Sequence, residues 1–452
     1  MNLGSAMSLG KLPPELEKFL LTKGCTLLIK GLPGTGKTTL ALEIINQMAD
    51  SENAAYFSSR VSKQKLFGQF PWIKEKVRPE HVVQMTHTKI EDVRLSSVEH
   101  LIGQVGKVLN QIKGGFVVLD SWDAFANELD PLQRLKTEKA LISMGDSSGT
   151  RLIFVSEQFA RSSLEYIVDG LITLRQTWVF GERAKRFERE EYVERRSVRE
   201  MELEKLRGVA IRNRTYVFTL AGSRFTYIKP YEVEGIQEPH ARVTELDENH
   251  LSTGIEELDE ITGGLMRGGI FLMEIEHGVG LRYLPILHIM GRHTVKSGRA
   301  VLALLNFILV PSMERGVREL PKKPKKPLSI VYPEELYDDT AVTYIREYER
   351  LKHLFNEVLE IVDLDAIESR FGFRKAVDFL IDASTRAFSN NMPVIVLVKG
   401  GMASVGIASR LASQHIVLKE VDGSLLLYGV SPRTGLYSIV PEEKVFRMIP
   451  IL

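Results

Sequence analysis

Short apolar runs bounded by turn residues alternate with helical patterns through the first part of the chain. The strand-like runs are CTLLIKG, AAYFSS, HVVQM, GFVVLD and RLIFVSE, and the helical stretches between them include TTLALEIINQMA and SVEHLIGQVGKVLNQI. Alternation of this kind is typical of a parallel sheet covered by helices on both faces. The sequence therefore predicts an α/β fold.

The pattern changes after RLIFVSE. A further strand, GLITLRQ, is followed by a dense mixed-charge stretch at 182–207 and then by YVFTLAGSRFTYI, which alternates as antiparallel edge strands do. A first domain is predicted to close near Pro230, so that it spans 1–230. The polar segment 231–250, which contains Gly235 and Pro239, is predicted to be a linker.

The second part of the chain repeats the first in outline. From Leu251 onward the runs GGIFLMEI, RAVLALLNF, LSIVYP, LEIVDLD and PVIVLVKGG again alternate with helical patterns. An internal duplication explains this order, with a second domain of the same kind at 251–452. Between two of its runs, PKKPKKP at 321–327 is predicted to be a solvated loop, with a basic contact site as the alternative.

Composition restricts the class of protein. The 452 residues are 44% hydrophobic and 26% charged, which suits a globular protein that can bury a sizeable core. The 59 basic residues match 58 acidic ones, so no global charge draws the chain onto nucleic acid or membrane. A single cysteine, Cys25, excludes an intrachain disulfide framework, and no transmembrane run or signal peptide is evident. A cytoplasmic protein is expected.

The segment GLPGTGKT carries the clearest chemistry. It matches the phosphate-binding pattern G-x-x-x-x-G-K-[ST], follows the strand TLLIK and opens a helix, as that pattern requires. The alternative is a glycine-rich turn that binds nothing. The sequence predicts that ATP binds here, with Lys37 on the β- and γ-phosphates, through the nine residues Gly31, Leu32, Pro33, Gly34, Thr35, Gly36, Lys37, Thr38 and Thr39.

A magnesium ion is expected beside the triphosphate. The Thr38 hydroxyl can bind Mg²⁺, which also needs a carboxylate, and GFVVLD places Asp120 at the carboxyl end of a strand. Asp123 lies close enough in sequence to share that task. The alternative for Asp120 is a helix-capping role.

With these motifs in order, the first domain resembles the RecA superfamily and, within it, the KaiC-like ATPases common in archaea. The stretch LSTGIEELDEITGGLMRGG at 251–269 is similar to the segment that leads into the phosphate loop of those proteins. The combination of an intact first loop with a degenerate second half is similar to archaeal GvpD-like proteins, named after regulators of gas-vesicle genes. The resemblance implies two tandem RecA-like domains, each a mostly parallel twisted sheet.

The resemblance also implies a site shared between subunits. Lys205 and Arg207 in EKLRG occupy the K-x-R pair that KaiC-like proteins insert into a neighbour's nucleotide site, where cations stabilise developing phosphate charge. That reading requires a homo-oligomer. The alternative is that both residues belong to the surrounding solvated run of charges.

The chain departs from the KaiC-like pattern at the general base. Those ATPases carry two glutamates after the second strand, whereas Arg60 and Val61 stand here. Because general-base assistance contributes roughly 10²–10⁴-fold, hydrolysis is expected to be slow or to use another group. Asp123 and Glu157 are the candidates, and Glu157 follows a strand at the position of a polar γ-phosphate sensor. A structural role for Glu157 is equally open.

The second domain departs further. In GVGLRY, Leu281 and Arg282 stand where the lysine and threonine of a phosphate loop should be, so it is predicted to be structural or partner-binding. His277 and Asp363 are lone residues and receive no site assignment.

Three functions fit these observations. The first is a regulatory ATPase of low turnover, with a partner protein bound through the second domain. The second is a DNA-associated recombinase relative, motivated by the Arg-rich stretch 183–199 and the loop 321–327 but opposed by the neutral net charge. The third is a scaffold that senses ATP without hydrolysing it.

Overall fold

The computed structural model describes residues 10–50, 52–84, 96–112, 114–127, 129–157, 162–180, 195–233, 237–306, 326–333 and 337–452. They form two compact units. The first comprises Met1–Val179, Ser197–Lys229 and Ile451–Leu452, and the second comprises Phe180–Arg196 and Pro230–Pro450.

The first unit is a nine-stranded sheet flanked by helices. Its helices are α1 (Pro14–Leu20), α2 (Lys37–Met48), α3 (Lys63–Gln69), α4 (Ser96–Gln111), α5 (Asp123–Ala126), α6 (Pro131–Ser148) and α7 (Ser163–Ile167). Its strands are β1 (Thr26–Gly31), β2 (Ala54–Ser58), β3 (Val82–Gln84), β4 (Phe116–Asp120), β5 (Arg151–Ser156), β6 (Gly170–Phe180), β7 (Arg195–Leu206), β8 (Thr215–Thr219) and β9 (Thr226–Tyr227).

The strand order in this sheet is β3-β2-β4-β5-β1-β6-β7-β8-β9. The first six strands in this order, β3, β2, β4, β5, β1 and β6, run parallel to one another. Strand β8 pairs antiparallel with both β7 and β9. All six residues of β1 are buried, because the strand lies in the middle of the sheet with helices on both faces. Its carboxyl end is therefore a fixed point on which the following loop is mounted.

A buried ion pair fixes the helix that follows this loop. The Arg224 guanidinium donates to both carboxylate oxygens of Glu43 in α2, at 2.6 and 2.7 Å, and lies over the Trp72 ring at 4.4 Å from its centroid. Glu43 is fully buried and Arg224 nearly so. Bidentate geometry satisfies the two charges where water does not reach them, so α2 has a specified position against the antiparallel strands.

The second unit contains a second nine-stranded sheet and a small three-stranded sheet. Its helices are α8 (Glu256–Thr262), α9 (Leu284–Lys296), α10 (Tyr337–Phe355), α11 (Leu364–Phe371), α12 (Phe373–Asn390) and α13 (Val405–Leu411). Its strands are β10 (Glu245–Asp247), β11 (His250–Leu251), β12 (Leu265–Met266), β13 (Ile270–Ile275), β14 (Ala300–Leu304), β15 (Leu328–Val331), β16 (Val358–Asp363), β17 (Val394–Lys399), β18 (Gln414–Val421), β19 (Ser424–Ser431), β20 (Leu436–Glu442) and β21 (Val445–Pro450).

The order of the second large sheet is β15-β14-β16-β17-β13-β18-β19-β20-β21. When the strands β13 to β21 are numbered from one to nine, this order is the same as that of the first sheet. The predicted α/β class, with two tandem domains built on mostly parallel sheets, is confirmed.

One carboxylate explains the pattern LSTGIEELD at the entrance to the second unit. Asp259 in α8 accepts hydrogen bonds from the Ser252 hydroxyl at 2.5 Å, the Thr253 hydroxyl at 2.6 Å and the Thr253 amide at 2.7 Å. Gly254 has a φ of 90° and lies so close to His293 that a Cβ would meet that side chain at 2.7 Å. Ser252, Thr253, Gly254 and Asp259 of the motif therefore form this buried turn.

The segment predicted as a linker, 231–250, is instead part of the second unit wherever it is described. Tyr231 is buried and its ring stacks on Phe446 at 6.1 Å between centroids. Glu238 pairs with Arg292 at 2.6 Å and with Lys296 at 2.9 Å. Glu238 therefore connects the segment to α9, whereas residues 242–249 are exposed.

We expect the Glu43–Arg224 pair to dominate the stability of the first unit. Arg224→Met should lower its free energy of unfolding by about 3–5 kcal/mol, because the Glu43 carboxylate stays buried without its cation. Urea unfolding followed by tryptophan fluorescence measures this selectively, since Trp72, Trp122 and Trp178, the only three tryptophans, all belong to the first unit.

The matched control is Arg78→Met. Arg78 forms an ion pair with Glu52, but both side chains are about half exposed, at 48% and 51%. Exposed pairs contribute roughly 0–1 kcal/mol, so this variant should unfold almost as the wild type does. Equal destabilisation by the two substitutions would show that the buried pair does not hold α2.

Candidate functional site

The loop 31–36 connects the central strand β1 to helix α2. Gly31 ends β1 and pairs with Leu174 of β6, whose carbonyl oxygen would lie 2.6 Å from a Cβ at this position. Helix α2 then begins at Lys37 with no side chain capping its first amides. Free backbone N–H groups at a helix N-terminus form an anion-binding position, since they and the helix dipole both favour negative charge.

Two glycines in the loop have conformations that side chains disfavour. Gly34 has a φ of 80° and Gly36 a φ of 100°, both in the left-handed region. A Cβ on Gly36 would also lie 3.0 Å from the Leu220 side chain. The path of the loop, which turns its amides inward, therefore depends on glycine at these places.

Lys37 is buried within the loop that it follows. Its ammonium donates to the carbonyl oxygen of Leu32 at 2.9 Å, so the side chain curls over the loop. Burial lowers the pKa of Lys37, while the nearby carboxylates of Glu157 and Asp120 act in the opposite direction. The ammonium therefore lies in a small cluster of acidic groups at the loop.

The two predicted magnesium ligands, Thr38 and Asp120, are in direct contact. The Thr38 hydroxyl donates to Oδ2 of Asp120 at 2.6 Å, which joins the first turn of α2 to the end of β4. A third residue, which the motif did not suggest, donates to the same oxygen: the Tyr56 hydroxyl lies 2.5 Å away. Tyr56 is fully buried, and burial together with the Asp120 charge raises the pKa of its phenol well above the ordinary value. Its proton therefore stays in place for donation.

The candidate replacements for the general base are already engaged. Asp123 is buried, with one oxygen accepting from the Ser156 hydroxyl at 3.0 Å and the other from the Glu157 amide at 2.5 Å. The Glu157 carboxylate pairs with the Arg60 guanidinium at 2.8 Å. Asp123 therefore fixes the backbone at Glu157, and Arg60 is the ion-pair partner of the Glu157 carboxylate.

Arg199 contacts the phosphate loop, although sequence reasoning placed it only in a charged stretch. Its guanidinium donates to the Gly34 carbonyl oxygen at 2.8 Å and to the Leu452 carbonyl oxygen at 2.7 Å. Both partners belong to the first unit. The available signal was the alternation along REMELEKL, which marks a strand whose residues take opposite faces in turn.

Lys205 and Arg207 lie near the end of the sheet where β1 begins, whereas their own phosphate loop follows the other end of β1. Arg207 pairs with Asp169 at 2.6 Å, and Asp169 binds the amide and hydroxyl of Thr26, where β1 begins. The loop follows the other end of β1, roughly 16 Å further on for five strand intervals. Lys205 donates to the Val168 carbonyl oxygen at 2.5 Å, just after α7. Neither cation joins the nucleotide site of its own chain.

The corresponding loop of the second unit is built differently. Helix α9 begins only at Leu284, after the residues Leu281 and Arg282 that replace the lysine and threonine, and a proline in its first turn lacks an amide proton. The Glu276 carboxylate is buried at the start of this loop and pairs with Lys419 at 2.5 Å. The later helix start and the loss of one amide at the proline both make this loop a poorer position for phosphate than the loop of the first unit.

Asp363 of the second unit stands at the end of β16, as Asp120 does at the end of β4. Its carboxylate accepts from the backbone amides of Ala366 and Asn306, each at 3.3 Å, so it caps α11. The His277 imidazole lies near Gly401.

Two sequence features fall mainly outside the described residues. Most of the Arg-rich stretch 183–199 and the prolines and lysines at 321–325 belong to segments on which the structure is silent. Of the described part, Arg199 contacts backbone carbonyl groups of the protein.

Comparison with known proteins agrees with this geometry. Residues 16–190 match the family model described as the P-loop domain of the GvpD gas vesicle protein. Protein GvpD2 of Halobacterium salinarum is 27% identical over 517 aligned positions, covering 97% of this chain and 96% of the relative. Protein GvpD1 of the same organism is 27% identical over 364 positions, covering 75% of this chain and 61% of that protein.

The chain is a GvpD-like P-loop protein. The predicted resemblance to GvpD-like proteins is confirmed, and the matched range contains the loop, Asp120 and Glu157 but ends before Lys205. The segment Pro230–Pro450 of the second unit lies beyond the family model, whereas the alignment to GvpD2 covers 97% of this GvpD-like chain. No helix in the described part of the chain has both the length and the apolarity that crossing a bilayer requires.

We expect Tyr56 to position the magnesium-binding carboxylate. Tyr56→Phe should raise the Mg²⁺ concentration for half-maximal ATP binding by roughly tenfold, because losing the outer partner of a metal ligand typically costs 10–100-fold. ATP affinity in excess EDTA should change less than about twofold. Calorimetric titration at several Mg²⁺ concentrations measures both quantities.

Tyr216→Phe is the matched control. The Tyr216 hydroxyl donates to the buried Glu15 carboxylate at 2.8 Å in the same unit, away from Asp120. This variant should leave the Mg²⁺ dependence unchanged. The same shift in both variants would mean that loss of a buried hydrogen bond, and not its place beside Asp120, explains the effect.

Proposed function

We propose that this GvpD-like protein is a regulatory ATPase of low turnover that binds Mg²⁺–ATP at the loop of its first unit. The observation that carries the proposal is the contact between Thr38 and Asp120. It joins an intact phosphate loop to a carboxylate at the end of a neighbouring strand. That combination is the donor set that a magnesium-bound triphosphate requires.

The residues fit the group in kind and in place. Gly31 to Lys37 supply inward amides and one ammonium for phosphate oxygens, and Thr38 and Asp120 supply the hard oxygen ligands that Mg²⁺ prefers. Thr39 is buried in the first turn of α2. A bound magnesium ion would neutralise phosphate charge there, and the protein holds its ligands 2.6 Å apart.

Low turnover follows from the cluster around Arg60. Arg60 and Val61 stand in place of the two glutamates that KaiC-like ATPases carry, so Glu157 is the candidate to orient water. The Glu157 carboxylate is paired with the Arg60 guanidinium at 2.8 Å. Glu157 also follows β5, whereas the two glutamates of the KaiC-like ATPases follow the second strand, so Glu157 does not stand at their position. We therefore place Glu157 in the catalytic set with a small contribution.

The second part of the proposal is a site completed by a neighbouring subunit. Lys205 and Arg207 lie at the far edge of the sheet from their own loop, and Arg207 is 65% exposed. A cation that is exposed there can reach the nucleotide of another copy of the chain. We propose a homo-oligomer in which this pair stabilises phosphate charge on the adjacent subunit.

The second unit serves as a structural or partner-binding domain in this proposal. Its large sheet keeps the full strand order, whereas its loop lacks the lysine, the threonine and the early helix start of the first unit. A regulatory protein partner is the occupant we assign to it, on the strength of the GvpD-like relatives. The single cysteine is the reason to place the protein in the cytoplasm.

A nucleotide sensor without hydrolysis is the second candidate function, and the Arg60–Glu157 pair favours it. The recombinase-like alternative is not favoured, because near-equal numbers of acidic and basic residues provide no excess charge for nucleic acid.

We expect Lys37→Ala and Arg207→Ala to fail at different steps. Lys37→Ala should weaken ATP binding by roughly 10–100-fold, as loss of a charge-assisted hydrogen bond predicts. Arg207→Ala should bind ATP normally but lose most phosphate release, since its guanidinium acts on another subunit. Calorimetry, phosphate release and light scattering on each sample supply the three readouts.

Arg214→Ala is the control for the second variant. Arg214 is 69% exposed and pairs with Glu202 at 2.9 Å, so it has the same charge and a similar setting. Its phosphate release should equal that of the wild type. Wild-type protein that binds ATP in an oligomer without releasing phosphate would favour the sensor, and a fully active monomer would contradict the shared site.

A further inference from the structure

Arg60 has a fixed backbone and a largely exposed side chain at the end of the sheet where the nucleotide would lie. The Ser58 hydroxyl oxygen accepts from the Val61 amide at 2.8 Å and from the Arg60 amide at 3.4 Å, which fixes the turn after β2. The Ser59 amide donates to the Asp120 carbonyl oxygen at 2.8 Å, so this turn adjoins the magnesium-binding position. The Arg60 side chain is nevertheless 59% exposed.

The guanidinium spans three strands of the sheet. Arg60 follows β2, its partner Glu157 follows β5, and the strand between them is β4, which ends at Asp120. The next strand after β5 is β1, which leads into the phosphate loop. A cation that reaches from β2 to β5 at this edge therefore crosses the space in front of Asp120, beside the Lys37 ammonium.

The charges in this cluster are unequal. The charges of three carboxylates, those of Asp120, Asp123 and Glu157, act on the Lys37 ammonium. Arg60 is a second cation in this cluster, beside Lys37 itself. The Arg60–Glu157 pair is open to solvent, and such pairs contribute roughly 0–1 kcal/mol. Guanidinium contacts to phosphate are stronger, because two parallel charge-assisted hydrogen bonds form at once.

We propose that Arg60 distinguishes a nucleoside triphosphate from a diphosphate by leaving Glu157 for the terminal phosphate. The inference rests on the proposed nucleotide site and adds a discriminating residue to it. A diphosphate ends one phosphate short of this position, so with ADP the Arg60–Glu157 pair persists. The residue that replaces a catalytic glutamate thus gives the site a reader of the γ-phosphate.

The turn that carries Arg60 connects this event to a helix. Ser62 follows at once and caps α3, where its hydroxyl oxygen accepts from the Lys65 amide at 3.4 Å. A change of partner at Arg60 therefore acts on the segment that begins α3. Exchange of one exposed ion pair for another contact needs no change in the sheet.

Binding of two nucleotides to three variants of the full chain tests the inference. Arg60→Gln should weaken binding of the imido analogue of ATP by about tenfold or more, in line with a lost charge-assisted contact, and change ADP binding less than about twofold. Glu157→Gln should tighten binding of the analogue more than binding of ADP, because it frees the guanidinium. Calorimetry with excess Mg²⁺ gives each affinity.

Arg78→Gln is the matched control. It removes an arginine of similar exposure, 48% against 59% for Arg60, from an ion pair with Glu52. Glu52 precedes β2, whereas Arg60 follows it. Neither affinity should change. Equal weakening of both nucleotides by Arg60→Gln, or no weakening of either, would overturn the inference while leaving the nucleotide site intact. Wild-type protein that binds neither nucleotide would overturn the proposed function and this inference together.

Discussion

The Oδ2 atom of Asp120 is the point on which the nucleotide site depends. It accepts from Thr38 in the first turn of α2 and from Tyr56 in β2, so one oxygen joins a helix and two strands. A carboxylate at the end of a buried strand must have partners, since an unpaired charge there is costly. The structure meets that need with the hydroxyl that a magnesium ion would share and with a buried phenol. Stabilisation of the fold and preparation of the site are thus the same interaction.

The two units show what a phosphate site needs beyond a fold. Both large sheets have the same strand order, and in both an aspartate ends the strand two places from the central one. In the second unit that aspartate caps a helix through backbone amides, and the helix after the loop begins later than in the first. The same scaffold therefore carries two different loops, because the difference lies in a few residues after the central strand.

Much of this could be predicted from residue patterns. Alternating apolar runs and the duplicated order indicated two α/β domains, because strand and helix periodicities are local properties. The phosphate loop was predictable because its amide geometry requires glycines at fixed spacing. The roles of Tyr56 and Arg199, and the packing of Tyr231 and Glu238 in the second unit, could not be predicted in this way. Their roles arise from contacts with residues far away in the chain, which spacing does not encode. Arg60 was visible as a departure from a family pattern, but its pairing with Glu157 required the structure.

We propose that one nucleotide binds per chain, at the first unit only. Equilibrium titration of the full chain with the imido analogue of ATP, in excess Mg²⁺ and at protein concentrations above the dissociation constant, measures that number directly. We expect one nucleotide bound per chain. Two per chain would show that the second loop binds phosphate despite its missing lysine and late helix start, and none would contradict the site itself.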